Sequence, residues 1–205
     1  MPIREEAFPF AGPLAVLAGV AGAMGFFVWA VFFVLLAACV CAFFRDPERV
    51  PPEDAGLLVS PADGRIVSVR EEDDGRTKIS VFMSVFNVHV NRAPSNGAVT
   101  GTNYNPGKFM AAWNDKASLD NEQIRIAFET PQGRMDVVMI AGLVARRIVC
   151  WARPAARFER GERIGLIRFG SRVDLYLPTS RIEPRVSIGD RVRAGFTPVA
   201  AWKDG

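Results

Sequence analysis

Gly170, Ser171, His89 and Asp63 are the residues of this 205-residue chain best suited to chemistry. The dipeptide Gly170-Ser171 lies in Glu162-Arg-Ile-Gly-Leu-Ile-Arg-Phe-Gly-Ser-Arg-Val-Asp-Leu-Tyr-Leu-Pro178. There, two apolar, strand-like runs flank a turn-prone pair. A serine hydroxyl beside the carbonyl of a flexible glycine can attack it and convert the amide to an ester, an N→O acyl shift. Elimination of that ester leaves dehydroalanine at a new N-terminus, and hydrolysis turns it into a pyruvoyl group. Such a group is an electron sink made from the protein's own backbone. The dipeptide alone is a weak signal. About one Gly-Ser is expected by chance at this composition, and the chain has one. Taken by itself it reads as an ordinary hairpin turn.

His89 is the only histidine. It stands in Phe82-Met-Ser-Val-Phe-Asn-Val-His-Val-Asn-Arg-Ala-Pro94. A single histidine in an apolar strand is more often structural than catalytic. For acid–base work near neutral pH it is nevertheless the best candidate in the chain. Asp63, in Ser60-Pro-Ala-Asp-Gly64, could orient it as a carboxylate does in a serine triad. The commoner role of an Asp-Gly pair is a turn. The soluble part offers one cysteine, Cys150, and one histidine, so no metal site is expected.

These residues need a scaffold and a location. Residues 11–44 carry no charge. As one helix they would run about 50 Å, against a bilayer core of about 30 Å. Gly19, Gly22 and Gly25 divide the run. Phe26–Phe44 is long enough for one span, and residues 13–24 could add a shallower helix to make a re-entrant hairpin. A signal peptide fits poorly, because the run is long and no small-residue cleavage site closes it. A core helix would show a polar face, which this segment lacks. Arg45 and Arg49 follow directly, which places the C-terminal domain on the cytoplasmic side of the cell membrane. Cys39, Cys41 and Cys150 would stay reduced there.

The chain carries a net charge of +3. Arg153, Arg157, Arg160, Arg163, Arg168 and Arg172 fall in one stretch, readable as attraction to an anionic membrane surface or as solvated strand faces. No basic-aromatic platform for nucleic acid is evident. After a linker at Pro51–Gly56 come short apolar runs that read as strands. They are Leu57–Val59, Arg65–Val69, Lys78–Met83, Val85–Val90, Ile124–Glu129, Met135–Ile140, Arg147–Trp151, Ile164–Phe169, Val173–Leu177 and Val199–Trp202. Asp73-Asp74-Gly75 and Pro131-Gln132-Gly133 read as hairpin turns, and Lys108–Lys116 as a short helix. The expected fold is mainly β, a sandwich or partly open barrel with few short helices, behind an N-terminal hydrophobic helical anchor. Ser60–Val69 and Val186–Gly195 resemble the turn elements of lipoyl- and biotinyl-type sandwiches. No lysine sits in a carrier hairpin.

Five motifs occur in order: Phe44-Arg-Asp-Pro-Glu-Arg49, Ser60-Pro-Ala-Asp-Gly64, Asn87-Val-His-Val-Asn-Arg-Ala-Pro94, Asp115-Lys-Ala-Ser-Leu-Asp-Asn-Glu122 and Arg168-Phe-Gly-Ser171. Each alone is weak, but together, behind a hydrophobic N-terminus, they resemble the short-form phosphatidylserine decarboxylase proenzymes over nearly the whole chain. The resemblance implies cleavage at Gly170–Ser171 into chains 1–170 and 171–205, which stay together as a heterodimer. It implies that Ser171 becomes a pyruvoyl group, which forms a Schiff base with phosphatidylserine. Carbon dioxide then leaves and phosphatidylethanolamine is released. By the same resemblance, Asp63 and His89 serve self-cleavage or proton transfer.

Longer members carry a second histidine three residues on, where this chain has Arg92. Either His89 does both jobs, or Asp63 works at cleavage without a histidine base. The commoner Leu-Gly-Ser-Thr of the family reads Phe169-Gly170-Ser171-Arg172 here.

The domains expected are therefore an anchor over 1–50 and a catalytic β domain over 51–205. A homo-oligomer is compatible with the sequence. The rival reading is a non-enzymatic membrane-anchored adaptor with a lipoyl-like sandwich domain. It gives no reason for Gly170-Ser171 or His89.

Overall fold

A computed structural model describes residues 2–107, 121–142, 147–168 and 171–203. The short helix expected at Lys108–Lys116, most of the Asp115–Glu122 motif, Phe169 and Gly170 lie outside these residues. The chain divides into two compact units, Met1–Glu48 and Arg49–Gly205.

The first unit is a helical hairpin of α1 (Phe8–Ala23) and α2 (Phe27–Phe43). Of the three glycines expected to break the run, only Gly25 does so; Gly19 and Gly22 are helical. Gly25 sits at φ +79°, and Phe26 N–H and Gly25 N–H close back onto the carbonyls of Ala21 and Gly22 at 2.8 and 3.1 Å. That left-handed cap suits a residue without a Cβ. α1 begins earlier than expected, and with the 3₁₀ turn before it the helical stretch Glu5–Ala23 is long and apolar enough to cross a membrane. The base of the hairpin is tied by Arg4 N–H to Phe44 O (3.0 Å) and Asp46 N–H to Pro2 O (2.9 Å). Phe27, Val28, Trp29, Leu35 and other large apolar side chains stand exposed around it.

The second unit is mainly β, with one 3₁₀ turn at Thr179–Arg181. Its strands are β1 (Leu57–Val59), β2 (Gly64–Glu71), β3 (Arg76–Met83), β4 (Val90–Arg92), β5 (Gly97–Asn105), β6 (Gln123–Thr130) and β7 (Gly133–Ala141). They continue with β8 (Ile148–Cys150), β9 (Arg157–Phe158), β10 (Arg163–Ile167), β11 (Ser171–Pro178), β12 (Ile182–Pro184), β13 (Arg191–Val192) and β14 (Pro198–Trp202). Eight of them form one antiparallel sheet in the order β13-β2-β3-β11-β7-β6-β5-β9, which curls into a half-barrel. Two three-stranded sheets, β1-β14-β12 and β4-β10-β8, complete the unit. The mainly β fold expected from the sequence is the one observed.

Alternation explains the core. Ile79, Val81 and Met83 of β3, Val173, Leu175 and Leu177 of β11, and Val137 and Met139 of β7 share one face and are buried. β11 sits between β3 and β7, paired residue by residue with both from Ser171 onward.

Both expected hairpin turns are present. Gly75 N–H closes on Glu72 O at 3.1 Å, and Thr130 Oγ1 accepts from Gln132 N–H and Gly133 N–H. The strand expected over Val85–Val90 is instead a turn, Ser84–Asn87, followed by β4. Asn87 Oδ1 accepts from both the N–H and the hydroxyl of Ser84 at 2.8 Å. These local bonds outcompete a ladder. The two lipoyl-like segments pack on each other: β13 pairs with β2, and Gly195 N–H donates to Ser60 O at 2.9 Å.

Candidate functional site

Ser171 is the first residue of β11, fully buried, opposite Met83 on one side and Ala141 on the other. Its hydroxyl lies 3.3 Å from Met83 Sδ. Asn91 Nδ2 lies 3.7 Å from the same sulfur and 3.4 Å from Pro61 O. The Met83 thioether thus joins Ser171 to Asn91, and Asn91 in turn reaches the Ser60–Gly64 loop. Arg92 N–H donates to Pro61 O at 2.9 Å and fastens that loop to β4.

His89 is buried just ahead of β4. Its Nδ1 is 2.9 Å from Asn87 O. A carbonyl only accepts, so in the neutral ring Nδ1 carries the hydrogen and Nε2 is the basic nitrogen. His89 O accepts from Ile167 N–H at 3.3 Å, which places this segment against the chain that leads to Ser171.

Asp63 ends the loop that precedes β2. One carboxylate oxygen accepts from Ala194 N–H at 2.7 Å, and the other meets Arg49 Nη2 at 3.0 Å. The aspartate therefore links the two lipoyl-like segments and the residue that closes the Phe44–Arg49 motif. Next in chain, Gly64 must be glycine, because a Cβ there would stand 2.0 Å from Phe82 O. A cavity of about 680 Å³ opens beside Asp63.

The described end of the Asp115–Glu122 motif also reaches the site. Asn121 Nδ2 donates to Ala141 O at 2.7 Å, and Ala141 N–H donates to Glu122 O at 2.9 Å. Ala141 is the strand neighbour of Ser171.

The sequence profile of the phosphatidylserine decarboxylase family matches residues 36–200. The chain belongs to the phosphatidylserine decarboxylase family. It is 51% identical over 206 residues to the phosphatidylserine decarboxylase proenzyme of Nitratidesulfovibrio vulgaris, covering 97% of this chain and 94% of that one. It is 47% identical to the proenzymes of Geobacter metallireducens (96% of this chain, 94% of that one) and Desulfotalea psychrophila (96% and 95%).

Two arginines stand where the resemblance to the phosphatidylserine decarboxylase family led us to expect a histidine and a threonine. Arg92, the first, donates from Nη1 to Gly161 O at 2.8 Å. Its stem lies along Gly195, where a Cβ would stand 2.7 Å from Arg92 Cδ. A guanidinium stays protonated and cannot act as a base. Arg172, in place of the threonine, forms a buried two-pronged ion pair with Asp174, Nε–Oδ1 2.6 Å and Nη2–Oδ2 2.9 Å. Alternation alone carries a signal for that pair, since residues two apart on a strand share a face. Met83, Asn91 and Arg49 were missed because each contact joins segments far apart in sequence.

Of the six arginines considered for a membrane-facing stretch, Arg172 is thus internal. Arg160 is half-buried and turned to the linker, where it donates to Leu57 O at 2.9 Å and to the carbonyls of Pro52 and Asp54.

Proposed function

We propose that this chain is a membrane-bound phosphatidylserine decarboxylase that makes a pyruvoyl group from Ser171 by cutting itself after Gly170. Family membership carries the reading, supported by the placement of Ser171 at a buried strand start beside the His89 segment. In maturation, Ser171 Oγ adds to the Gly170 carbonyl and the C–N bond between the two residues breaks, leaving an ester. A base then removes the Ser171 α-proton while the Gly170 carboxylate leaves from Cβ. Water replaces the nitrogen of the resulting dehydroalanine, which departs as ammonia. We assign to His89 Nε2 both proton transfers: passage of the Ser171 hydroxyl proton to the departing nitrogen, and removal of the α-proton.

The residues around Ser171 fit a pyruvoyl group. Ala141 is small, Met83 excludes water, and Asn91 brings a donor, Nδ2, and a buried acceptor, Oδ1, that has no partner among the described residues. A pyruvoyl carbonyl supplies an electrophile for the substrate amine and a sink for the electron pair left when carbon dioxide departs. β11 is paired with β3 from Ser171 to Pro178 and with β7 from Ser171 to Tyr176, so cleavage into 1–170 and 171–205 would alter connectivity rather than packing. The apolar hairpin of the first unit is the proposed anchor, with Arg45 and Arg49 favouring a cytoplasmic catalytic unit. An adaptor would need none of the Ser171 surroundings.

Intact-mass measurement tests the reading. Wild-type protein is expected as two chains, and Ser171→Ala as one chain without decarboxylase activity. A folded wild-type protein that stays at 22.5 kDa would sink the proposal. Cleavage persisting in Ser171→Ala would displace Ser171 as the nucleophile.

A further inference from the structure

The cavity beside Asp63 has an unusual wall. Arg65, Arg191 and Arg193 line it, together with Phe196. Arg65 and Arg191 are directly opposite each other in the β2–β13 pairing. Like charges in that position destabilise a sheet. None of the three guanidinium groups has an ion-pair partner among the described residues. The nearby carboxylates are occupied elsewhere: Asp63 by Arg49 and Ala194 N–H, Asp190 by Ser187 N–H at 2.8 Å. All three side chains are exposed, so their charges are open to an anionic ligand.

Two tight turns border the same cavity. Ser84–Asn87 is braced by its own side chains and presents Val85 and Phe86, the latter 82% exposed. Arg193–Thr197 is braced by Arg193 N–H to Thr197 Oγ1 at 3.0 Å and presents Phe196, 51% exposed. Exposed aromatic rings on braced turns cost the free protein little entropy to hold in place and suit the boundary between water and acyl chains.

We propose that these turns and arginines form a bilayer-docking mouth. Phe86 and Phe196 enter the interface, and Arg65, Arg191 and Arg193 take the phosphodiesters of phospholipids at the entrance of the Asp63 cavity. The proposal rests on the phospholipid substrate proposed above, and it adds the surface that meets the lipid.

Hydrogen exchange of the full-length protein in nanodiscs tests it without turnover. Discs of phosphatidylcholine alone are compared with discs that also contain phosphatidylglycerol. Exchange across 84–87 and 191–197 is expected to slow in the anionic discs, and to lose that slowing in R191E/R193E and in F86S/F196S. Phe86 and Phe196 are exposed, so the second variant is expected to fold. In mixed micelles of phosphatidylserine, R191A/R193A is expected to lose efficiency through KM, by about 25-fold if each basic residue contributes about fivefold. Equal exchange in both kinds of disc would overturn the docking mouth. So would equal slowing by inorganic phosphate in neutral discs, since the arginines would then serve a free anion. Slowed exchange in a wild-type protein that neither matures nor decarboxylates would leave the docking mouth standing and remove the enzymatic reading instead.

Discussion

Replacing Asp174 with asparagine removes the carboxylate that Arg172 meets inside the protein. The two side chains are 1% and 0% exposed and joined by contacts of 2.6 and 2.9 Å, so water can reach neither. Breaking a buried ion pair from one side costs about 3–5 kcal/mol, because the remaining charge is stranded in a poor solvent. Asp174→Asn and Arg172→Met should each show that loss. Replacing both, in R172M/D174L, removes the desolvation penalty along with the attraction, and such exchanges are often neutral or stabilising. The double variant is therefore expected to be more stable than either single one. The measurement is thermal unfolding in detergent micelles, in a Ser171→Ala background so that one covalent chain unfolds. At about 2–4 °C per kcal/mol for a protein of this size, each single variant should melt about 6–20 °C below the parent. Ser171 immediately precedes Arg172, so the single variants in the wild-type background should also self-cleave more slowly than the double one. Single variants within about 1 kcal/mol of the parent, or a double variant weaker than both, would refute the view that the buried pair dominates the energetics here.

Gly64→Ala would drive a Cβ to 2.0 Å from Phe82 O and force β2 from β3 at Asp63; a loss of at least about 2 kcal/mol and slower maturation are expected, and a parent-like melting curve would show the approach to be softer than described. His89→Gln is expected to abolish maturation and Asp63→Asn to slow it less than tenfold, both read by intact mass over time; the reverse ranking would move the base to Asp63. Burial, and then the charge of Asp174, push the Tyr176 phenol up to about 12. The fold favours the protonated phenol, so this contribution is complete below about pH 10 and is lost as pH rises towards 12. Tyr176→Phe should flatten that part of the alkaline stability profile, and identical slopes would count against it.

Much of this was legible because apolar alternation and turn residues report on contacts near in sequence. Leu57–Val59 was placed to the residue, and β3, β6, β7 and β11 to within two residues at each end. The exceptions have causes. β5, Gly97–Asn105, contains two glycines and little apolar character, and it is a strand because it pairs with β6 along its length. β12 and β13 are two or three residues long, below the reach of any periodicity. Val85–Val90 looked extended because its residues are β-branched or aromatic; Asn87 overrode that tendency by bonding Ser84. The structure adds to the residues named from the sequence a set of connections that the sequence does not show. Nothing in the sequence near Asp63 announces Arg49 or Ala194 as its partners. The sulfur that links Ser171 to Asn91 belongs to Met83, a residue that reads as plain core.

The single histidine then becomes a question about timing. Arg92 donates to Gly161 O and packs its stem along the Gly195 backbone, so it holds segments together here. Asp63 is spent in the same way, on Arg49 and Ala194. Both residues brace the Ser60–Gly64 loop, Arg92 through its N–H to Pro61 O. We therefore assign one nitrogen, His89 Nε2, to two steps. The assignment involves no conflict, because the steps never coexist. In the proposed maturation, cleavage consumes the Ser171 hydroxyl, and a substrate amine has a carbonyl to react with only after it is gone. One imidazole suffices in the proposed sequence, because it takes protons in maturation and gives one back in turnover, to the carbon that has lost carbon dioxide.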